Sequence, residues 1–200
     1  MKRIAVFVSG NGTNLQAIID AMAADDLPGA ELALVVSNRR DAYGAKRAIH
    51  HGIPLVYFPL LPYRNAKRPR EDYDADLARI MQAFGIEWVV LAGWMHIFTN
   101  AFIRHFPSRI LNLHPALPGM FPGTDAIERA YEAYQRGEIE HTGVMVHLVP
   151  DEAVDAGPVI ARAEVPIQPG DTLEALEARV HAVEHHLLVR AIRETVLRGG

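Results

Sequence analysis

Short apolar runs alternate along the chain with stretches in which apolar residues recur every three or four positions, as on one face of a helix. In the first such stretch the apolar residues fall at 15, 18, 19 and 22. The short runs predict strands over 4–8, 32–36, 55–57, 88–92, 110–114, 143–149 and 159–165. The periodic stretches predict helices over 14–23, 45–51, 71–84, 101–106 and 124–137, and a last one from Asp171 onward.

The alternation of strands with helices indicates βαβ units with right-handed crossovers. We therefore predict an α/β fold: an open, mostly parallel twisted sheet with helices on both faces, completed in its C-terminal part by an antiparallel strand and a long helix. The Pro- and Arg-rich stretch 59–69 predicts a loop. Thr124 is the predicted N-cap of the helix that follows it, and Asp171 with Glu174 is a capping box that starts the last helix.

Composition and charge exclude several classes of protein. The chain of 200 residues has 20 Lys and Arg against 24 Asp and Glu and contains no Cys, which excludes a disulfide scaffold, a thiolate zinc site and a Cys nucleophile. Its apolar runs are too short for a membrane span, and no signal peptide is visible. A formal charge of −4 argues against non-specific binding to nucleic acid. We expect a cytoplasmic protein.

A glycine-rich loop follows the first strand and reads Ser9-Gly10-Asn11-Gly12-Thr13-Asn14. Backbone N–H groups at the start of a helix suit a phosphate, but the same glycines also suit a simple tight turn. The loop is not a Walker A motif, because no Lys follows it, and Leu15 occupies the third glycine position of a dinucleotide fingerprint. Arg39 and Arg40, after the second strand, leave an NADP-binding module open.

Asn112 and His114 lie two positions apart on the fifth predicted strand, so their side chains point to the same face. An amide donor beside an imidazole suits acyl transfer, with Asn112 on the oxyanion and His114 as proton carrier. Because neither Ser nor Cys accompanies them, we favour direct attack by a substrate nucleophile. Asp155, in a turn before the last strand, is a candidate partner for the imidazole; structural roles remain the alternative for all three.

A competing hypothesis comes from the last helix, where His181, Glu184 and His185 match the H-x-x-E-H zinc pattern. The two His residues lie one helical turn apart, as zinc ligands require. A catalytic zinc site also needs a third protein ligand and an open position. A zinc hydrolase is therefore an alternative function of a different class.

Four motifs in order along the chain resemble the glycinamide ribonucleotide formyltransferase family, the folate-dependent formyltransferases of purine synthesis. They are Ser-Gly-Asn-Gly-Thr-Asn at 9–14, Val-Leu-Ala-Gly-Trp-Met at 90–95, Leu-Asn-Leu-His-Pro at 111–115 and Asp-Ala-Gly-Pro at 155–158. The resemblance covers nearly the whole chain. It implies formyl transfer from 10-formyltetrahydrofolate to the amine of glycinamide ribonucleotide, without a metal.

The resemblance also implies a role for particular residues. Asn112, His114 and Asp155 correspond to the catalytic trio. The residues implied for glycinamide ribonucleotide are Gly12, Thr13, Asn14 and Glu184. The residues implied for the formyl folate are Arg70, Met95, His96, Ile97, Phe98 and Asn112.

The resemblance further implies one domain over residues 1–200, with a phosphate-binding half over 1–110 and a catalytic and folate half over 111–200. Its partners would be the two small molecules, without nucleic acid or membrane, and the protein would be a monomer or a homodimer. Related enzymes are separated by extra domains: methionyl-tRNA formyltransferase adds one at its C-terminus, and formyltetrahydrofolate deformylase usually carries one at its N-terminus. The deformylase, a hydrolase, is kept as the alternative.

Overall fold

A single twisted sheet runs through the computed structural model, which describes residues 1–197. Its strands follow the spatial order β3-β2-β1-β4-β5-β6-β7. The first five pair in parallel, whereas β6 pairs antiparallel to both β5 and β7. The predicted mostly parallel α/β class is confirmed. The strands are β1 (Lys2–Val8), β2 (Ala30–Ser37), β3 (Leu55–Tyr57), β4 (Trp88–Leu91), β5 (Ile110–His114), β6 (His141–Leu148) and β7 (Val159–Pro166).

Helices cover both faces of the sheet, because the central strands are apolar on both sides. Along β1, Ile4, Val6 and Val8 pack into one core with the first and last helices of the chain, while Ala5 and Phe7 pack into a second core on the opposite face of the sheet. None of the helices within 1–197 is long and apolar enough to cross a membrane. The helices are α1 (Thr13–Ala23), α2 (Tyr43–His50), α3 (Leu61–Asn65), α4 (Arg70–Ala83), α5 (Asn100–Ile103), α6 (Ala126–Gln135) and α7 (Leu173–Ile192), with a π-helical turn at Arg193–Leu197.

Two helix caps differ from the predictions. The helix α6 begins at Ala126, and its N-cap is Asp125 in a left-handed conformation (φ 56°) rather than Thr124. The helix α7 has Thr172 as N-cap, whose hydroxyl oxygen accepts a hydrogen bond from the N–H of Ala175 at 3.2 Å. The predicted capping box from Asp171 is wrong, because the Asp171 carboxylate pairs with a guanidinium further along the helix.

The predicted loop 59–69 contains a short helix, α3. A proline in its first turn costs no hydrogen bond there and presets the helical φ. None of its residues is buried, so apolar spacing could not reveal it. The helix lies just before α4, whose first turn adjoins the candidate site.

Candidate active site

A cavity of about 380 Å³ opens where β1, β4 and β5 end. The N-terminal ends of α1 and α6 and the middle of α7 complete its walls. Ligand sites in open parallel sheets are expected at this edge. The residues that the sequence singled out and that line it are Asn14, Met95, His96, Ile97, Phe98, Asn112, His114, Asp155, His181 and Glu184.

Asn112 and His114 face this cavity together, as their spacing on β5 predicts. One carboxylate joins them. The Oδ1 atom of Asp155 accepts a hydrogen bond from Nδ2 of Asn112 at 3.0 Å, and its Oδ2 atom lies 3.3 Å from Nδ1 of His114. His114 is 3% exposed, so this contact is shielded from bulk water. The amide, imidazole and carboxylate therefore form one connected group.

The turn before β7 places Asp155. Its backbone is left-handed (φ 51°), and its Oδ2 atom accepts a hydrogen bond from the N–H of Gly123 at 2.8 Å. Two residues on, Gly157 packs so tightly that a side chain would overlap the carbonyl oxygen of Leu148. The glycine of the Asp-x-Gly sequence therefore lets the turn approach the backbone of Leu148 closely. This approach places the carboxylate of Asp155 next to the side chains of β5.

His147 completes the group and was missed by the sequence analysis. It lies opposite Asn112 in the antiparallel register of β5 and β6 and is 1% exposed. Its Nδ1 lies 2.8 Å from the carbonyl oxygen of Leu148, a contact that requires the proton on Nδ1. The bare Nε2 then accepts from Nδ2 of Asn112 at 3.0 Å. Both amide protons of Asn112 are consequently engaged, one by His147 and one by Asp155.

The electrostatics of the group keep a neutral imidazole beside an ionised carboxylate. Burial lowers the pKa of His114 below its usual value, against the opposing effects of Asp155 and of the backbone of Met120 and Phe121. Burial alone would raise the pKa of Asp155, but the hydrogen bond from the N–H of Gly123 and the electrostatic field of His114 bring it below its usual value. At neutral pH the imidazole of His114 is therefore neutral and can accept a proton.

That further proton has acceptors ready on both sides of the ring. The Nε2 atom of His114 lies 3.1 Å from the carbonyl oxygen of Phe121, and its Nδ1 atom lies 3.3 Å from Asp155. A neutral imidazole has one N–H and can serve one of these acceptors, whereas an imidazolium serves both. The protonated ring is therefore stabilised by an acceptor at each nitrogen.

The glycine loop meets the cavity through its last residue. Gly12 is the N-cap of α1 with φ 72°, and a side chain there would overlap the backbone of Gly44. Asn14 is buried, lines the cavity and donates from Nδ2 to Oε2 of Glu184 at 3.0 Å. Gly12 and Thr13 lie immediately before it and are not among the lining residues. Of the predicted phosphate residues, Asn14 alone forms part of the wall.

Neither competing site assembles in the described part of the chain. Within residues 1–197 no three His, Asp or Glu side chains are placed to hold a metal ion. In the suggested zinc pattern, Nδ1 of His181 is hydrogen-bonded to Oε2 of Glu184 at 2.9 Å, which raises the pKa of the imidazole. Arg39 and Arg40 are exposed at the end of β2 and lie outside the cavity lining, which does not favour an NADP site there.

The segment Met95–Phe98 forms an apolar wall of the cavity. Phe98 is buried and stacks on Phe102 with ring centroids 4.0 Å apart, whereas Met95 and Ile97 are 61% and 56% exposed. Burial and two nearby arginines lower the pKa of His96 to about 4, so it is neutral, and its Nδ1 is buried without a partner in residues 1–197. This wall offers apolar surface with a polar group inside it.

Arg70 does not line the cavity, but it is hydrogen-bonded to the Met95–Phe98 segment that does. It donates to the carbonyl oxygen of Ile97 at 2.7 Å and to Oδ1 of Asp74 at 3.1 Å. Asp74, fully buried, also accepts from the N–H of Thr99 at 2.7 Å. Asp74 was missed by the sequence analysis, because an acidic residue in the first turns of a helix is usually solvated. The predicted folate contact of Arg70 remains a prediction.

Comparison with known proteins agrees with this geometry. The family described as formyl transferase matches residues 2–192. Phosphoribosylglycinamide formyltransferase of Schizosaccharomyces pombe is 48% identical over 200 residues, covering 96% of each chain, and that of Dictyostelium discoideum is 45% identical over 199 residues, covering 95% of this chain and 96% of the relative. The crystal structure of phosphoribosylglycinamide formyltransferase from Bacillus halodurans superposes with a TM-score of 0.91 at 36% identity, covering 100% of this chain and 97% of that one. The chain belongs to the formyl transferase family and is an enzyme that transfers formyl groups.

Proposed function

We propose that this enzyme transfers the formyl group of 10-formyltetrahydrofolate to the primary amine of glycinamide ribonucleotide, a step of purine biosynthesis. The observation that carries the proposal is the carboxylate of Asp155, which holds Asn112 and His114 in one cavity between the glycine loop and an apolar wall. The choice of substrate is supported by the relatives, which are named phosphoribosylglycinamide formyltransferases.

The phosphate of the ribonucleotide would bind at the start of α1, on the N–H groups of Gly12, Thr13 and Asn14. The first N–H groups of a helix have no partner inside the helix, and the helix dipole adds a partial positive charge. Glu184 is 4% exposed, lines the cavity and is held by Asn14. It would accept hydrogen bonds from the ribose and glycyl part of the substrate, between the phosphate and the reacting amine.

The formyl folate would lie on the apolar wall, and the residues present fit it. A pterin is flat, aromatic and edged with hydrogen-bonding groups, so it needs apolar surface with a few buried polar atoms. Met95, Ile97 and Phe98 supply the surface. Among the cavity-lining residues, Nδ1 of His96 and Nε1 of Trp94 are buried polar atoms that have no hydrogen-bond partner within residues 1–197. Arg70 would contribute by fixing Ile97.

His114 and Asn112 would carry the chemistry without a covalent enzyme intermediate. As the neutral amine attacks the formyl carbon, Asn112 donates to the oxygen on which negative charge develops. The Nε2 atom of His114 would exchange its contact with the carbonyl oxygen of Phe121 for the substrate and take the proton that the attacking nitrogen loses. It would return that proton to N10 of the folate as the bond between N10 and the formyl carbon breaks. Asp155 would stabilise the imidazolium formed between those two transfers through its contact with Nδ1 of His114.

Asn112 must free a proton before it can donate to substrate, because His147 and Asp155 occupy both protons of its amide. Exchanging one of these hydrogen bonds for the substrate oxygen keeps the amide satisfied. The exchange also explains why two acceptors surround the amide: whichever proton is given to the substrate, the other continues to hold Asn112 in its orientation.

We further propose that residues 1–200 form one formyltransferase domain, acting in the cytoplasm as a monomer or homodimer, without a metal or nucleic acid. The glycine loop then belongs to the half over 1–110, and Asn112, His114 and Asp155 belong to the half over 111–200. The formyl folate would contact both halves, since Met95–Phe98 precede residue 111.

The test is a product assay with both substrates. Purified enzyme is mixed with glycinamide ribonucleotide and 10-formyltetrahydrofolate, and formation of the formylated ribonucleotide is followed by mass spectrometry with and without a chelator. We expect product in equal amount to the folate deformylated, and the same rate with the chelator. Folate deformylated equally fast without the ribonucleotide would instead support the deformylase. Loss of activity in the chelator, restored by zinc, would support the hydrolase built on His181, Glu184 and His185.

A further inference from the structure

The helix α2 packs directly against the glycine loop, although it contributes nothing to the cavity lining. The backbones of Gly12 and Gly44 touch: a side chain on Gly12 would meet the Cα of Gly44 at 2.6 Å, and one on Gly44 would meet Val8 at 3.0 Å. The N–H of Gly44 donates to the carbonyl oxygen of Gly10 at 3.1 Å. The glycine loop therefore packs against α2 as well as leading into α1.

Arg47, one turn further along α2, binds the same loop with its guanidinium. Its Nε donates to the carbonyl oxygen of Asn11 at 3.0 Å, and one terminal nitrogen donates to the side-chain oxygen of Asn11 at 3.3 Å. The other terminal nitrogen donates to Oε1 of Gln16 on α1 at 3.1 Å. The guanidinium also lies over the ring of Tyr43, 4.8 Å from its centroid. Arg47 thus joins the loop, α1 and α2.

These contacts fix which way the loop amides point. In a trans peptide the C=O of one residue and the N–H of the next point in opposite directions. Because Arg47 holds the carbonyl of Asn11 and Gly44 holds that of Gly10, the N–H groups of Gly12 and Asn11 are turned away from α2. Within residues 1–197, the N–H groups of Asn11 to Asn14 donate to no protein acceptor. A row of free N–H groups is the arrangement that binds phosphate oxygens.

We infer that Arg47 is a positioning residue for the substrate phosphate: by holding the carbonyl of Asn11, it presets the free amides at the start of α1 for a phosphomonoester. The inference rests on the proposed function, which assigns the phosphate to this loop. Every terminal or ε nitrogen of Arg47 is already hydrogen-bonded to the loop or to α1, so it acts through them rather than on the phosphate itself.

Lys46 provides a matched control. It is the neighbouring residue on α2, carries the same charge and has no hydrogen bond to the loop in residues 1–197; its ammonium lies 5.7 Å from the ring of Tyr43. Arg47→Met and Lys46→Met remove one positive charge each, but the first alone releases Asn11. Arg47→Lys keeps the charge with one donor group in place of the fork, and it serves if Arg47→Met fails to fold.

The experiment measures kcat, the KM for glycinamide ribonucleotide and the KM for 10-formyltetrahydrofolate in each variant. We expect Arg47→Met to raise the KM for the ribonucleotide roughly tenfold or more, with kcat and the folate KM within about threefold of the unmodified enzyme. Lys46→Met should leave all three constants within about twofold, and Arg47→Lys should lie between. Either of two results would overturn the inference: an equal effect of Arg47→Met and Lys46→Met, or a fall in kcat together with a rise in both KM values in Arg47→Lys.

A second measurement separates this inference from the proposed function. Binding of inorganic phosphate, followed by the rise in melting temperature, needs no catalysis. If the unmodified enzyme is stabilised by phosphate and Arg47→Met is not, the positioning role stands even where formyl transfer to the ribonucleotide fails. If the unmodified enzyme formylates glycinamide ribonucleotide, and phosphate stabilises both methionine variants as much as the unmodified enzyme, the proposed function stands and the role of Arg47 is refuted.

Discussion

Replacing Asp155 by asparagine perturbs the catalytic group with almost no change in volume. The carboxylate is 9% exposed and accepts at both oxygens, from Asn112 through Oδ1 and from Gly123 through Oδ2. A carboxamide has one oxygen, so its NH2 group must face one of these two donors. The variant Asp155→Asn therefore breaks one hydrogen bond in every side-chain orientation and removes the charge that faces His114.

The size of the effect follows from these contacts. A hydrogen bond to a charged acceptor contributes about 1.5–3 kcal/mol, which corresponds to roughly 10–150-fold in rate if it is lost in the transition state. Losing the partner of a general acid–base group adds to this, and removal of such catalysis typically costs about 10²–10⁴-fold. We expect kcat of Asp155→Asn to fall by about 10²–10⁴-fold, with both KM values changed little, because Asp155 has no hydrogen bond to the glycine loop or to Met95–Phe98 within residues 1–197.

The assay is steady-state formyl transfer, with far-ultraviolet circular dichroism as the check that the variant is folded. Glu152→Gln is the matched control: it changes an acidic residue to its amide in the same loop, and Glu152 is exposed and accepts from the N–H of Asn100 at 2.8 Å. It should retain activity within about twofold. A folded Asp155→Asn variant with kcat within about threefold of the unmodified enzyme would refute the reasoning.

Three further predictions concern pH and stability. The folded-state pKa of His114 is lowered from 6.5, so the acid limb of the pH profile of kcat/KM should have its midpoint below pH 6.5; a midpoint above 7 would contradict this. For the same reason the free energy of unfolding should decrease as the pH falls through 6.5, because His114 is protonated in the unfolded chain before it is protonated in the folded one. Gly157→Ala should lose about 1–3 kcal/mol in urea unfolding together with most of its activity, since the new side chain displaces the turn that carries Asp155; unchanged activity would argue against that turn's role. Thr172→Ala should lose about 1 kcal/mol by the same unfolding measurement with kcat unchanged, and a stability equal to the unmodified enzyme would remove Thr172 as a functional cap.

Much of the fold could be predicted from local patterns, because burial on both faces makes the central strands continuous apolar runs. The bounds of β3 (Leu55–Tyr57) and β5 (Ile110–His114) agree with the predicted runs, and the other strands differ by one or two residues at one or both ends. The predicted helix caps were wrong where neighbouring polar residues could each act as the N-cap. At the start of α7, Asp171 and Thr172 are both good caps, and the contact of Asp171 with Arg179 decides between them.

The site was predictable where one element carries the whole signal and unpredictable where two elements meet. Asn112 and His114 share a strand, so their common direction follows from its period of two. His147 could not be found in this way, because its position opposite Asn112 depends on the register between β5 and β6, across a long connection. Arg47 is missing from the sequence analysis for the same reason: its partner Asn11 lies on a different element, and their contact depends on how α2 packs on the loop.

The most direct measurement is a crystal structure of the enzyme with glycinamide ribonucleotide and a 10-formyl folate analogue that cannot transfer its formyl group. The account predicts the phosphate on the amides at the start of α1, and the formyl oxygen about 3 Å from Nδ2 of Asn112, with His114 beside the two nitrogens that exchange the proton. A phosphate bound elsewhere on the protein, or a formyl group beyond the reach of both side chains, would contradict it.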